Sequence, residues 1–188
     1  MLKISAFFFC TSLVIIAGLL IHFNSAPVKA DYVGVQSCQS CHSSLASGSI
    51  FPVWESGPHR SALQILDTDS AQAYLQSENI SIDNCLQCHS TLGRKGQDEF
   101  EKLLHQQGIG CERCHGPGSQ YIQSTIMKDQ EMMERFGGSS GDLADCYSCH
   151  TKDPSATNDN HCPFQTSPFD AESAWATIKH SRSEESFR

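Results

Sequence analysis

Apolar and polar positions divide this chain into two regimes. From Ile4 to Phe23 the residues are predominantly apolar, with Lys3 before them and Pro27 and the small-residue ending Val28-Lys29-Ala30 after them. A positive start, an apolar stretch and a small-residue finish have the form of a secretory signal peptide, which sets residues 1–30 apart. The same run is long enough to cross a bilayer and becomes an anchor if it is retained. Cleavage after Ala30 would also remove Cys10, which follows Phe7-Phe8-Phe9 and has no lipid-attachment context.

Residues 31–188 form the second regime and are enough for one domain. Nothing there alternates apolar and polar residues for long enough to argue for a sheet, so the pattern predicts a mainly α protein with extensive loops. Pro52 and Pro58 interrupt the chain, and Pro58 is expected to open a helix through about Leu66. Asp69 or Ser70 can cap another helix through Gln76. Phe100, Leu103 and Leu104 are expected on one helical face that ends at Gly108. The longest helix is expected from about Ser119 to Phe136, with Ile122, Ile126 and Met133 inward and Gly137-Gly138 stopping it. A last helix follows Asp170 as N-cap and carries Trp175, Ile178 and His180.

Ten cysteines change that picture. Eight fall into four copies of one pattern, C-x-x-C-H: Cys38/Cys41/His42, Cys85/Cys88/His89, Cys111/Cys114/His115 and Cys146/Cys149/His150. Two cysteines three apart on one helical turn can each form a thioether to the same porphyrin, and the histidine that follows then lies beneath the iron. A single C-x-x-C pair would also suit zinc or disulfide exchange, but four copies with the same adjoining histidine point to c-type haem. Each motif implies one covalent haem, so four c-type haems are expected, and their planes would supply much of the core.

Eight histidines follow residue 30, and four are in motifs. His59, His105, His161 and His180 remain as candidate distal ligands. His59 is expected at a helix N-terminus, where the dipole disfavours protonation and keeps the imidazole available. His180 is expected on a helix with an apolar face. His105 shares its helix with Leu104, His161 sits in a polar run, and Met127 suits a core better than a ligand role. Cys162 is left over, as an inert thiol, an intermolecular disulfide partner or a sulfur near a haem.

Loss of residues 1–30 removes Lys3 and Lys29 and no acid, leaving 11 basic against 21 acidic residues, a formal charge of −10. That balance disfavours nucleic acid and anionic lipid. It favours a redox partner protein with a basic docking patch, and it also confers solubility.

Trp54 followed by His59, the run Cys85-Leu-Gln-Cys-His89, the block Gly108-Ile-Gly-Cys-Glu-Arg-Cys-His-Gly-Pro-Gly118 and the ending Ser167-Pro-Phe-Asp170 with Trp175 and His180 together resemble the tetrahaem cytochrome c554 family. The resemblance implies a multihaem cytochrome c fold packed around four covalent haems, and periplasmic electron transfer. It also implies mostly bis-histidine haems and one open haem position, at His89. His59 and His180 match the family's ligand positions; His105 and His161 do not. Where the family has a histidine just after the Gly-Pro-Gly turn, this chain reads Ser119-Gln-Tyr-Ile-Gln-Ser124. A second one expected before the fourth motif is absent from Gly137 to Asp145.

Electron relay between redox proteins is the leading functional expectation. Two alternatives are a small haem enzyme reducing a nitrogen oxide or peroxide at an open iron, and a subunit of an extracellular cytochrome filament.

Overall fold

A computed structural model of the chain describes residues 30–150 and 162–180. The proposed leader and His161 lie outside the described residues. Helices run over Val35–His42, Ile50–Ser56, Asp69–Ser77, Ile82–His89, Glu99–Gln106, Glu112–His115, Ser124–Met127, Gln130–Arg135, Leu143–Cys146 and Ala171–Ile178, joined by 3₁₀ turns and loops. The described residues contain no strand. Among them no helix is long and apolar enough to cross a membrane.

Several expected helices are shorter or broken, each for a physical reason. In place of one helix after Pro58 there are two 3₁₀ turns, Pro58–Ser61 and Gln64–Asp67. The carbonyls a continuous helix would use are taken by distant partners. His59 O accepts Ile109 N–H at 2.9 Å, and Ala62 O lies 2.7 Å from His89 Nδ1. The next helix is capped by Thr68, one residue before the expected Asp69 or Ser70, with Thr68 Oγ1 accepting from Ala71 N–H.

The expected helix from Ser119 to Phe136 is three pieces: a 3₁₀ turn at Gly118–Gln120 and helices Ser124–Met127 and Gln130–Arg135. Asp129 accepts Met132 N–H at 3.0 Å and so starts a new helix rather than continuing the old one. That new helix does end at Gly137-Gly138. Gly138 N–H reaches Met133 O and Gly137 N–H reaches Glu134 O, with Gly137 at φ 84°, which is a Schellman closure. Met133 is buried as expected, whereas Ile122 and Ile126 are only half-buried.

On helix Glu99–Gln106 only Leu104 is buried, while Phe100 and Leu103 are 45% and 48% exposed. Leu104 packs toward Gly34 at the start of the first helix. His180 lies just beyond its helix, which ends at Ile178, and not on it.

A buried hub holds these short elements together. Residues Gly108, Ile109 and Gly110 are buried, and their backbone is fastened from three directions. Trp54 Nε1 donates to Ile109 O at 2.7 Å, Ile109 N donates to His59 O, and Thr91 donates to Gly108 O through both its N–H and its hydroxyl. Gly108 sits at φ 67°, and a Cβ there would stand 2.5 Å from His59 O, so no other residue fits without moving the backbone. The Trp54-to-His59 spacing and the Gly108-Ile-Gly block are therefore two halves of one contact.

Candidate haem sites

Every C-x-x-C-H motif lies at the end of a helical turn. His42 and His89 are the last residues of helices Val35–His42 and Ile82–His89, and His115 ends the single turn Glu112–His115. His150 closes the turn that follows Leu143–Cys146, donating its N–H to Cys146 O at 2.8 Å. Nine cysteines of the described residues are free thiols, the eight of the motifs and Cys162.

Exposure sets Cys41 apart from the other motif cysteines. Cys38, Cys85, Cys88, Cys111, Cys114, Cys146 and Cys149 are half-buried, whereas Cys41 is exposed. The helix explains the difference. Val35 is its buried residue, and at about 100° per residue Cys38 stands about 60° around the axis from Val35 while Cys41 stands about 120° away, toward solvent. Cys38 therefore faces the third motif, and Cys41 is met by the neighbouring Ser40 hydroxyl, which donates to its sulfur at 3.7 Å. The polypeptide encloses one thiol of the first motif and leaves the other at the surface.

Motif histidines are oriented from behind. His89 Nδ1 lies 2.7 Å from Ala62 O, and His115 Nδ1 lies 2.7 Å from Ser139 O. A carbonyl can only accept, so each Nδ1 carries the proton and each Nε2 keeps its lone pair for a metal.

Two spare histidines meet two motif histidines. The His59 ring lies 6.2 Å from that of His150, and the His180 ring lies 6.0 Å from that of His115, centroid to centroid. Burial lowers the pKa of His59, His150 and His180, so all three favour the neutral, ligating form; in the His59–His150 and His115–His180 pairs the charge of the facing imidazole acts in the same direction on His59 and His180. Phe169 stacks 4.0 Å from His150, and Tyr147 meets Phe169 edge-on.

A different group acts on His89. Cys162 is the first cause of the raised pKa of His89, and His89 the first cause of the lowered pKa of Cys162. His105 is brought opposite no motif histidine in these contacts. Its buried Nδ1 has no hydrogen-bond partner, and its pKa is lowered by burial and then by Lys95.

Contacts between motifs run in a chain. The Cys38 and Cys111 thiols act on each other, linking the first motif to the third, and this raises the Cys38 pKa while lowering that of Cys111. The Cys88 and Cys149 thiols act on each other in the same way, linking the second to the fourth, and Cys88 is the main reason Cys149 is pushed down to about 5. Arg113, inside the third motif, donates to Gln87 O at 2.7 Å and to Cys149 Sγ at 3.5 Å, so one side chain joins the third motif to both.

Glu112, the other variable residue of that motif, is 4% exposed. Its carboxylate accepts from Val33, Gly34 and Gly118 N–H at 2.9, 2.8 and 2.7 Å. It fastens the chain entering the first motif and the Gly-Pro-Gly turn to one point. Neither Glu112 nor Arg113 was singled out by sequence reasoning. The available signal was a charged pair inside a motif that must pack inward.

These residues fit c-type haem. Two metal–imidazole bonds of about 2 Å, with about 1.1 Å from each coordinating nitrogen to its ring centre, put imidazoles sharing one iron about 6.2 Å apart. Both observed pairs have close to that separation. The polypeptide also leaves large apolar side chains uncovered, among them Phe100, Leu103, Phe136 and Phe164, and among the described residues the fully buried large apolar side chains are Leu86 and Leu104 alone. Among the described residues no group of three His, Cys, Asp or Glu side chains could hold a bare metal ion.

The family model described as cytochrome c554 and c-prime matches residues 37–116, a stretch that takes in the first three motifs and His59. Cytochrome c-554 of Nitrosomonas europaea is 29% identical over 127 residues, covering 60% of this chain and 49% of the relative. The chain thus spans about half the length of that curated relative. No solved structure matches. The chain resembles the cytochrome c554 family.

Proposed function

We propose that this protein is an exported tetrahaem c-type cytochrome that relays electrons between redox partner proteins. Each haem, when bound, supplies a one-electron iron couple. The observation that carries the reading is the pair of facing imidazoles, His59 with His150 and His180 with His115, each at the separation an iron between them requires.

Under this reading the cysteines of the four motifs hold the porphyrins and His42, His89, His115 and His150 are the proximal ligands. His59 would hold the fourth haem iron together with His150 and His180 the third together with His115, and an iron held by two imidazoles would suit electron transfer over substrate binding. The Ala62 and Ser139 carbonyls hold the His89 and His115 rings in the ligating tautomer. Motif contacts that join the first motif to the third, and the third to both the second and the fourth, support a continuous path with the first motif at one end. The exposed Cys41 thiol puts one thioether of the first haem at the surface, which suits an end of the path where electrons enter or leave. The acidic surface supports docking to a partner with a basic patch. His105 and His161 stay candidates for the first site.

Intact mass of the exported protein tests the reading. Four haem additions on a chain beginning at Asp31 are expected. Fewer additions would break the relay, and a retained N-terminus would make it membrane-anchored. Reduction by a basic electron-transfer protein should slow as ionic strength rises.

A further inference from the structure

We propose that Arg113 sets the potential of the haem attached at Cys146 and Cys149, its guanidinium charge favouring the reduced iron there. This rests on the haem reading above and gives a role in the relay to a residue between the two cysteines of the third motif.

The side chain leaves its own motif. Arg113 Nη2 donates to Gln87 O at 2.7 Å, and Gln87 lies between the two cysteines of the second motif. The same nitrogen stands 3.5 Å from Cys149 Sγ, in the fourth motif. With haem attached that sulfur is a thioether at the porphyrin edge. It then carries no charge and accepts weakly, so the Gln87 carbonyl is the contact that holds the guanidinium in place. Gly93 makes room for it, because at φ 66° it has no side chain and a Cβ there would stand 3.1 Å from Arg113 Nη1. One cation is thereby fixed where three motifs meet.

No carboxylate pairs with that cation among the described residues, whose ion pairs are Arg94–Glu101, Lys95–Asp83 and Lys102–Glu99. Glu112, its neighbour in the chain, turns its carboxylate to the Val33, Gly34 and Gly118 amides instead. Arg113 is half-buried, and a guanidinium keeps its proton at any ordinary pH, so the charge is permanent and partly shielded from water. Oxidised haem iron carries one more positive charge than reduced iron, so a fixed cation beside it opposes oxidation and raises the potential. The effect should be largest at the fourth haem, whose sulfur the guanidinium touches, and smallest at the first, whose motif none of its hydrogen bonds reaches. The fourth haem becomes the step at which the relay holds an electron.

Haem-resolved redox titration, read from the haem-methyl NMR signals of the holoprotein, tests this with Arg113→Gln and Arg113→Lys. Intact mass comes first, and four haems are expected in each. In Arg113→Gln the reduction equilibrium of the fourth haem should fall about tenfold, which is about 59 mV for one electron, with a smaller fall at the first haem. Arg113→Lys keeps the charge and loses the planar fork, and its fourth potential should stay near that of the wild type. Arg113→Met, which keeps the apolar stem, replaces the Gln variant if that one loses a haem. A full haem count with an unchanged fourth potential overturns the Arg113 assignment alone. So does an equal fall in Arg113→Gln and Arg113→Lys, since packing and not charge then sets the potential, and so does loss of the fourth haem from both neutral variants. A wild type with no haem at the fourth motif overturns both this assignment and the tetrahaem reading.

Discussion

The His59 ring faces the His150 ring across 6.2 Å at an interplanar angle of 39°, joining a residue between the first two motifs to the last motif of the chain. If an iron lies between them, His59→Ala removes one ligand from the fourth haem and leaves its thioethers intact. EPR should convert one low-spin haem to high-spin, the fourth haem's potential should rise, and intact mass should still give four haems. His180→Ala should do the same at the third haem. An unaltered spectrum in either variant would mean that the facing rings are ordinary packing.

Gly108→Ala is expected to act on the same ligand from a distance. At φ 67° the added Cβ carries a left-handed backbone strain of about 1–3 kcal/mol, and it also meets His59 O at 2.5 Å. The variant should unfold at lower denaturant by at least that amount and should weaken the His59 ligation, seen as partial high-spin character. Unchanged stability would show that the hub relaxes freely.

The parts that could be read from sequence are those fixed by local covalent chemistry. Cysteines three apart with an adjoining histidine announce themselves wherever they fall, and so do an Asp170 cap and a Gly137-Gly138 stop. What could not be read depends on partners far along the chain. Ala62 O goes to His89 and His59 O to Ile109, which is why the stretch after Pro58 tightens into 3₁₀ turns. Asp129 could have been solvent-facing in a long helix, but its side chain caps a new one. The motif treats Cys38 and Cys41 alike, yet the packing of Val35 decides which of the two thiols is enclosed.

Glu112→Gln keeps the shape of the buried carboxylate and removes its charge. An amide offers one oxygen where two now accept from Val33, Gly34 and Gly118, and turns an N–H donor toward at least one of those donors. Loss of about 1–3 kcal/mol is expected by denaturant unfolding, from a donor left unsatisfied. Amide hydrogen exchange at Gly34 and Gly118 should quicken together. Protection lost at only one of them would mean that Glu112 does not join the two segments.

Acid should loosen the third site through the cap of the last helix. Asp170 accepts from Ser173 Oγ at 2.6 Å and from Glu172 and Ser173 N–H at 3.1 Å each. These bonds, the Ser173 hydroxyl first, lower its pKa below the ordinary 3.8. A carboxyl whose folded pKa is depressed stabilises the fold fully above its unfolded pKa, and that contribution is lost as pH falls through 3.8 and on through the folded value. Helix Ala171–Ile178 positions His180 against His115, so its fraying should appear as third-haem high-spin character that grows over that window. Asp170→Asn keeps a capping oxygen without the titration, and its third haem should hold its spin state further into acid than the wild type. If both proteins lose the His180 ligand along the same pH curve, protonation of the histidine itself controls the site and the Asp170 cap does not.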